Sequence, residues 1–165
     1  MRPTRLIATF FGTGLIRPAP GTWGSLAALP VAWLLHVAGG FWLLAASTVV
    51  VFMIGWWATR IETAGSDDPD PSEIVIDEVA GMWVALWPVS LGAIMQDVPI
   101  TALWPGWIVA FFAFRAFDIW KPGPIGLADR MHTPLGVMLD DILAGALAAM
   151  VVAVAALVLH GLMGL

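Results

Sequence analysis

The 165-residue chain has no cysteine and no tyrosine, and it is poor in charge, with 12 acidic and 7 basic residues. Without thiols, disulfides and thiolate metal sites are excluded. The shortage of bases, at a net charge of −5, argues against nucleic acid as a partner and for a bound cation. Apolar residues fill the space that charge leaves. A hydrophobic fraction of 60% and a mean hydropathy of +0.90 lie far above the roughly 45–50% apolar content of soluble domains, so the class is integral membrane protein. The ten tryptophans suit membrane-interface anchors and a core. No repeat divides the chain, and residues 1–165 read as a single membrane-embedded domain.

Residues 1 to 25 are punctuated by glycine and proline and lack a small-residue cleavage site. They are expected to be retained as a loop or a short re-entrant or interfacial segment. Apolar runs follow from Leu26 to Ala38, Phe41 to Thr59, Val79 to Met95, Leu103 to Trp120 and Ile142 to Leu165. The first two flank Gly39 and Gly40 and read as a helical hairpin turning there. The expected fold is therefore all-α, with about five transmembrane helices. If the N-terminus is cytoplasmic, segments 1–25, 60–78 and 115–141 share its side of the membrane. They hold Arg2, Arg5, Arg17, Arg60, Arg115, Lys121 and Arg130, which is every lysine and arginine in the chain. The positive-inside rule thus predicts a cytoplasmic N-terminus and a periplasmic C-terminus.

That topology gathers three polar segments at one face: residues 11–26, 73–81 and 112–145. Asp77 and Glu78 are expected at the start of one helix, Arg115 and Asp118 in the last turns of another, and Asp140 and Asp141 at the start of a third. Arg115 and Asp118 share a helical face, with Lys121 near enough to extend it. So many carboxylates would repel one another unless a cation neutralised them. A hard divalent ion such as Mg²⁺, held by Asp77, Glu78, Asp118, Asp140 and Asp141, is the economical explanation, since no His/Cys set has zinc spacing. Arg115, Lys121 and Arg130 then suit a phosphate clamp. Thr13, Thr22 and Ser25 offer hydroxyls to the same phosphate, and His132 is a further candidate contact. Metal, bases and oxygen-rich loops at headgroup depth point to phosphoryl chemistry on a lipid. The alternative is a membrane ion or metal transporter with a carboxylate-lined cation site, although such sites sit more naturally near mid-membrane. Asp67, Asp68, Asp70 and Glu73 read as a solvated loop, and His36 and His160 as structural.

Three motifs carry a resemblance: FGTG…P.PGT.GSL at Phe11 to Leu26, VIDE..G at Val75 to Gly81, and F.FR.FD.WKP.PI…DR….G.M.DD..AG from Phe112 to Gly145. In order and spacing the chain resembles the bacterial phosphatidylglycerophosphatase A family. The resemblance implies a Mg²⁺-dependent multi-pass enzyme of the bacterial inner membrane, with its site facing the cytoplasm. Such an enzyme hydrolyses the terminal phosphate monoester of the lipid phosphatidylglycerophosphate, giving phosphatidylglycerol and phosphate. Carried over by position, the family's motif residues fall on Asp77, Glu78, Arg115, Asp118, Lys121, Asp129, Arg130, Asp140 and Asp141. Of these, Asp77, Glu78, Asp118, Asp129 and Asp141 are the expected catalytic carboxylates.

Overall fold

Among the described residues, proline opens six of the seven α-helices. The structure is a computed structural model that describes residues 2–66, 68 and 70–163, with side chains described through Leu159. Among the described residues there is no strand. The elements are α1 (Pro3–Ala8), a 3-10 turn (Thr13–Leu15), α2 (Pro20–Glu62), α3 (Ile76–Ala85), α4 (Trp87–Met95), a 3-10 turn (Ile100–Leu103), α5 (Trp104–Trp120), α6 (Pro124–Asp129) and α7 (Pro134–Met163). Pro3, Pro20, Pro124 and Pro134 are the first residues of their helices, and Pro88 and Pro105 the second of theirs. There the missing N–H costs nothing and the fixed φ is already helical.

This shifts several boundaries from the sequence expectation. Residues 1–25 are not a loop throughout, because α1, a 3-10 turn and the start of α2 occupy them. α2 begins at Pro20 instead of Leu26, and residues 121–141 contain α6 and the first two turns of α7. Asp140 and Asp141 consequently lie inside a helix and not at its start. The apolar run Val79–Met95 is two helices joined at Leu86, because Pro88 has no N–H to offer the Val84 carbonyl. Asp67 lies outside the described residues, as does the side chain of His160.

Among the described residues, four helices are long and apolar enough to cross a membrane: α2, the combined α3–α4, α5 with its preceding turn, and α7. α2 is interrupted by non-helical backbone at Gly39 and at Gly40, whose φ of 64° and ψ of −157° suit glycine alone. Its two arms fold back on each other, since Gly24 near its start packs on Val75 and Gly55 near its end packs on Ile76. α3 and α4 then run up this hairpin. The Trp83 indole donates to the Ala28 carbonyl at 2.9 Å, His36 Nδ1 lies 2.7 Å from Ser90 Oγ, and Gly40 at the tip meets Ile94.

α3 is the centre of the molecule, with nine of its ten residues buried. It packs on α2 on one side and on α7 on the other. α1 clamps the base of this arrangement: Thr4 donates to Glu62, Arg5 pairs with Glu73 at 2.9 Å, and Val75 N–H donates to the Ala8 carbonyl at 2.9 Å. The start of α3 is thereby fixed on three sides.

Candidate active site

Asp77 and Glu78 are the second and third residues of α3, as the sequence predicts for that helix start. What brings Asp141 to them is a helix crossing. A Cβ on Gly145 would lie 2.2 Å from the Gly81 carbonyl oxygen, and one on Gly81 would lie 2.5 Å from that of Asp141. Only glycine at both places lets α3 and α7 approach so closely. Gly81 is one turn beyond Glu78 and Gly145 one turn beyond Asp141, so the crossing sets the carboxylates side by side. One oxygen each from Asp77, Glu78 and Asp141 lies within 4.8 Å of the others.

The cluster is withheld from water. Asp77 is 6% and Asp141 3% exposed. Glu78 Oε2 and Asp141 Oδ2 are buried without a hydrogen-bond partner among the described residues. Two carboxylates at such a distance repel by roughly 3 kcal/mol at an effective dielectric of about 20. Each orphaned oxygen adds about 1–3 kcal/mol of desolvation. A bound cation removes both costs, and an all-oxygen donor set fits a hard divalent ion.

The base beside the cluster is Arg115, whose Nη1 lies 4.0 Å from Glu78 Oε1 and pairs with Asp118 one helical turn on. Its Nε is buried with no partner among the described residues. Gly21, at the start of α2, covers this pair: a Cβ there would lie 2.1 Å from Glu78 Oε1 and 3.1 Å from Arg115 Nη1. The N-terminus of α2 therefore faces the carboxylates and adds the positive end of its dipole to their field.

A second set lies alongside. α5 is capped by Lys121, which takes left-handed angles (φ 50°, ψ 53°) and is followed by Pro122. That turn directs its Nζ to Asp129 and to Asp140 Oδ2, the latter at 2.7 Å. Partial withdrawal from water would lower the Lys121 pKa, but the two carboxylates outweigh it and hold the ammonium above the ordinary lysine range. Adjacent residues on a helix point about 100° apart, so α7 delivers Asp141 to the first set and Asp140 to the second. A recess of about 240 Å³ adjoins this pair, lined by Asp68, Asp70, Asp129, His132 and Val137.

The expected site residues are thus divided. Asp77, Glu78 and Asp141 converge, while Asp118 is held by Arg115 and Asp129 and Asp140 by Lys121. Thr22 follows Gly21 in the first turn of α2. Ser25 is fully buried and donates to the Gly21 carbonyl at 2.8 Å. Thr13 donates to the carbonyls of Thr9 and Phe10, at 3.2 and 3.0 Å. Arg130 is exposed after α6 without an ion pair among the described residues. His132 is exposed, with its Nδ1 2.7 Å from the Arg130 carbonyl. The sequence reading missed the close-packing roles of Gly21, Gly81 and Gly145. A signal existed in the motif glycines, which stand inside helices where propensity disfavours them.

The profile of phosphatidylglycerophosphatase A matches residues 6–156. The chain belongs to the phosphatidylglycerophosphatase A family. It is 38% identical to phosphatidylglycerophosphatase A of Haemophilus influenzae, over 92% of this chain and 88% of that protein. It is 37% identical to phosphatidylglycerophosphatase A of Escherichia coli, over 89% of this chain and 80% of that one. A Bacteroides thetaiotaomicron protein provisionally named phosphatidylinositol-3-phosphatase is 36% identical, over 91% of each chain. No solved structure gives a significant match. Within the phosphatidylglycerophosphatase A family, a buried acidic cluster able to bind a metal suits a phosphatase that uses a divalent ion.

Proposed function

We propose that this chain is a phosphatidylglycerophosphate phosphatase that uses Mg²⁺, hydrolysing the terminal phosphate monoester to leave phosphatidylglycerol and phosphate. The observation that carries the reading is the convergence of Asp77, Glu78 and Asp141, two of them with orphaned oxygens, beside Arg115 in a chain matching the family from residue 6 to 156. Asp77, Glu78 and Asp141 would hold the ion. When bound, Mg²⁺ supplies charge neutralisation at the phosphoryl oxygens and a more acidic bound water.

The chain's own residues do the rest. Arg115 presents its guanidinium to the phosphate, and Asp118 holds that guanidinium in register as a positioning residue. Lys121 offsets negative charge at the rim while fixing Asp129 and Asp140. Gly21 leaves room for Glu78 and keeps water from its outer face. Thr22, Arg130 and His132 line the approach as lesser phosphate contacts.

The two arms of α2 count as separate spans in this reading, giving five crossings with the N-terminus and the site at the cytoplasmic side of the bacterial inner membrane. The distribution of all seven bases supports that orientation. Purified protein in detergent with phosphatidylglycerophosphate and Mg²⁺ should release phosphate, and EDTA should stop it. Faster release from phosphatidylinositol 3-phosphate would reassign the substrate, and no release from either lipid would sink the activity.

A further inference from the structure

We infer that the seam between α2 and α5 holds an acyl chain of the lipid whose phosphate occupies the carboxylate site. The inference rests on the phosphatase reading and adds to it a subsite for the lipid's tail. The two helices run antiparallel and face each other at two levels. At one level Gly21 of α2 meets Arg115 of α5 across Glu78. At the other, Leu29, Pro30 and Trp33 of α2 face Trp104 and Trp107 of α5 across an apolar groove of about 340 Å³.

The register between these levels fits one lipid molecule. Leu29 and Trp33 are 8 and 12 residues beyond Gly21, about 12 to 18 Å along a helix. Trp107 and Trp104 are 8 and 11 residues before Arg115, about 12 to 16 Å. The terminal phosphate of phosphatidylglycerophosphate is joined to its acyl chains through two glycerols and a phosphodiester, so with that phosphate at Arg115 the chains begin between the two levels and run on into the groove.

Both helices carry an unbroken stripe between the two levels. On α5, Trp104, Trp107, Phe111, Arg115 and Asp118 are spaced by three or four residues and share one face. On α2, Thr22, Leu26, Leu29 and Trp33 do the same. The groove wall is also fixed, because the Trp107 indole N–H donates to the Ile100 carbonyl at 3.1 Å. Bulk lipid could coat any apolar seam, but this one continues into the phosphate site at the spacing of a single molecule.

Two measurements decide it. Wild-type protein should prefer dipalmitoyl over dihexanoyl phosphatidylglycerophosphate in kcat/KM, because palmitoyl chains bury more methylenes in the groove. Leu29→Trp, which fills the groove, should reduce that preference about tenfold through the KM of the long-chain lipid. An unchanged preference overturns the inference. The second measurement is independent of turnover. Because the chain lacks cysteine, Leu26→Cys, one turn before Leu29 on the same face of α2, accepts a single fluorophore in nanodiscs. Saturable quenching that is stronger for acyl-brominated phosphatidylglycerophosphate than for acyl-brominated phosphatidylglycerol supports a substrate-chain subsite. Equal quenching assigns the groove to bulk lipid and overturns it. Absence of phosphate release from both substrates defeats the phosphatase reading alone, and the quenching comparison still decides the groove.

Discussion

Gly21 and Glu78 meet where two helices begin, and the space between them is smaller than a methyl group: a Cβ on Gly21 would stand 2.1 Å from Glu78 Oε1. Two effects of Gly21→Ala therefore oppose each other. Alanine in the first turns of α2 favours the helix by up to about 1 kcal/mol, so folding should be preserved. The same methyl pushes the Glu78 carboxylate and Arg115 out of register. A misplacement of about 1 Å costs on the order of a hundredfold in rate. Thermal unfolding should be unchanged or raised while kcat/KM falls steeply; full activity would detach Gly21 from the site.

Asp141→Asn tests the cluster as a cation site without relying on turnover alone. In EDTA the wild type keeps three crowded, buried carboxyl groups, and replacing one by a neutral amide relieves their mutual repulsion. The variant should therefore melt at the same or a higher temperature than wild type when metal is absent. Added Mg²⁺ should raise the wild-type melting temperature by binding the folded state, and should raise that of the variant little. Phosphate release should fall on the order of a hundredfold or more. A variant that still responds to Mg²⁺ like wild type would exclude Asp141 from the site.

Lys121 separates backbone cost from charge. It holds left-handed angles that glycine adopts freely, and its ammonium bridges Asp129 and Asp140. Lys121→Met keeps the backbone cost and strands Asp140, which is only 4% exposed. Lys121→Gly removes the backbone cost and strands the same carboxylate. Lys121→Met should consequently be the less stable of the two, by about 1 kcal/mol or less. Both should lose most activity if the bridged pair matters to the phosphate site, as kinetic and thermal measurements on the two variants would show. Equal stability would mean that the left-handed turn carries no cost.

What was legible in the sequence was what depends on neighbours in the chain. The apolar runs, the turn at Gly39 and Gly40, and the position of Asp77 and Glu78 at a helix start are all local properties. Pro20 misled for a local reason as well: it read as punctuation of a loop, whereas at a first helical position the same residue starts the helix. The division of the carboxylates into two sets was not legible. It follows from where α3 crosses α7, a contact between residues more than sixty positions apart, and from the rotation that sends Asp140 and Asp141 to different partners.

That crossing can be tested with two glycines of different surroundings. Gly145→Ala places a methyl 2.2 Å from the Gly81 carbonyl oxygen, an obstacle of backbone that cannot rotate away. α7 must move off α3, with an overpacking cost of about 1–3 kcal/mol, and Asp141 moves with it. Gly92 in α4 is the control, since a Cβ there has no neighbour closer than 3.5 Å. Gly92→Ala should be neutral or stabilising, because alanine improves helix propensity without a clash. The distinguishing result is therefore paired: Gly145→Ala loses thermal stability and the Mg²⁺-induced rise in melting temperature together, while Gly92→Ala keeps both. If Gly145→Ala lost stability but kept the full Mg²⁺ response, Asp141 would not depend on the crossing for its place beside Asp77 and Glu78.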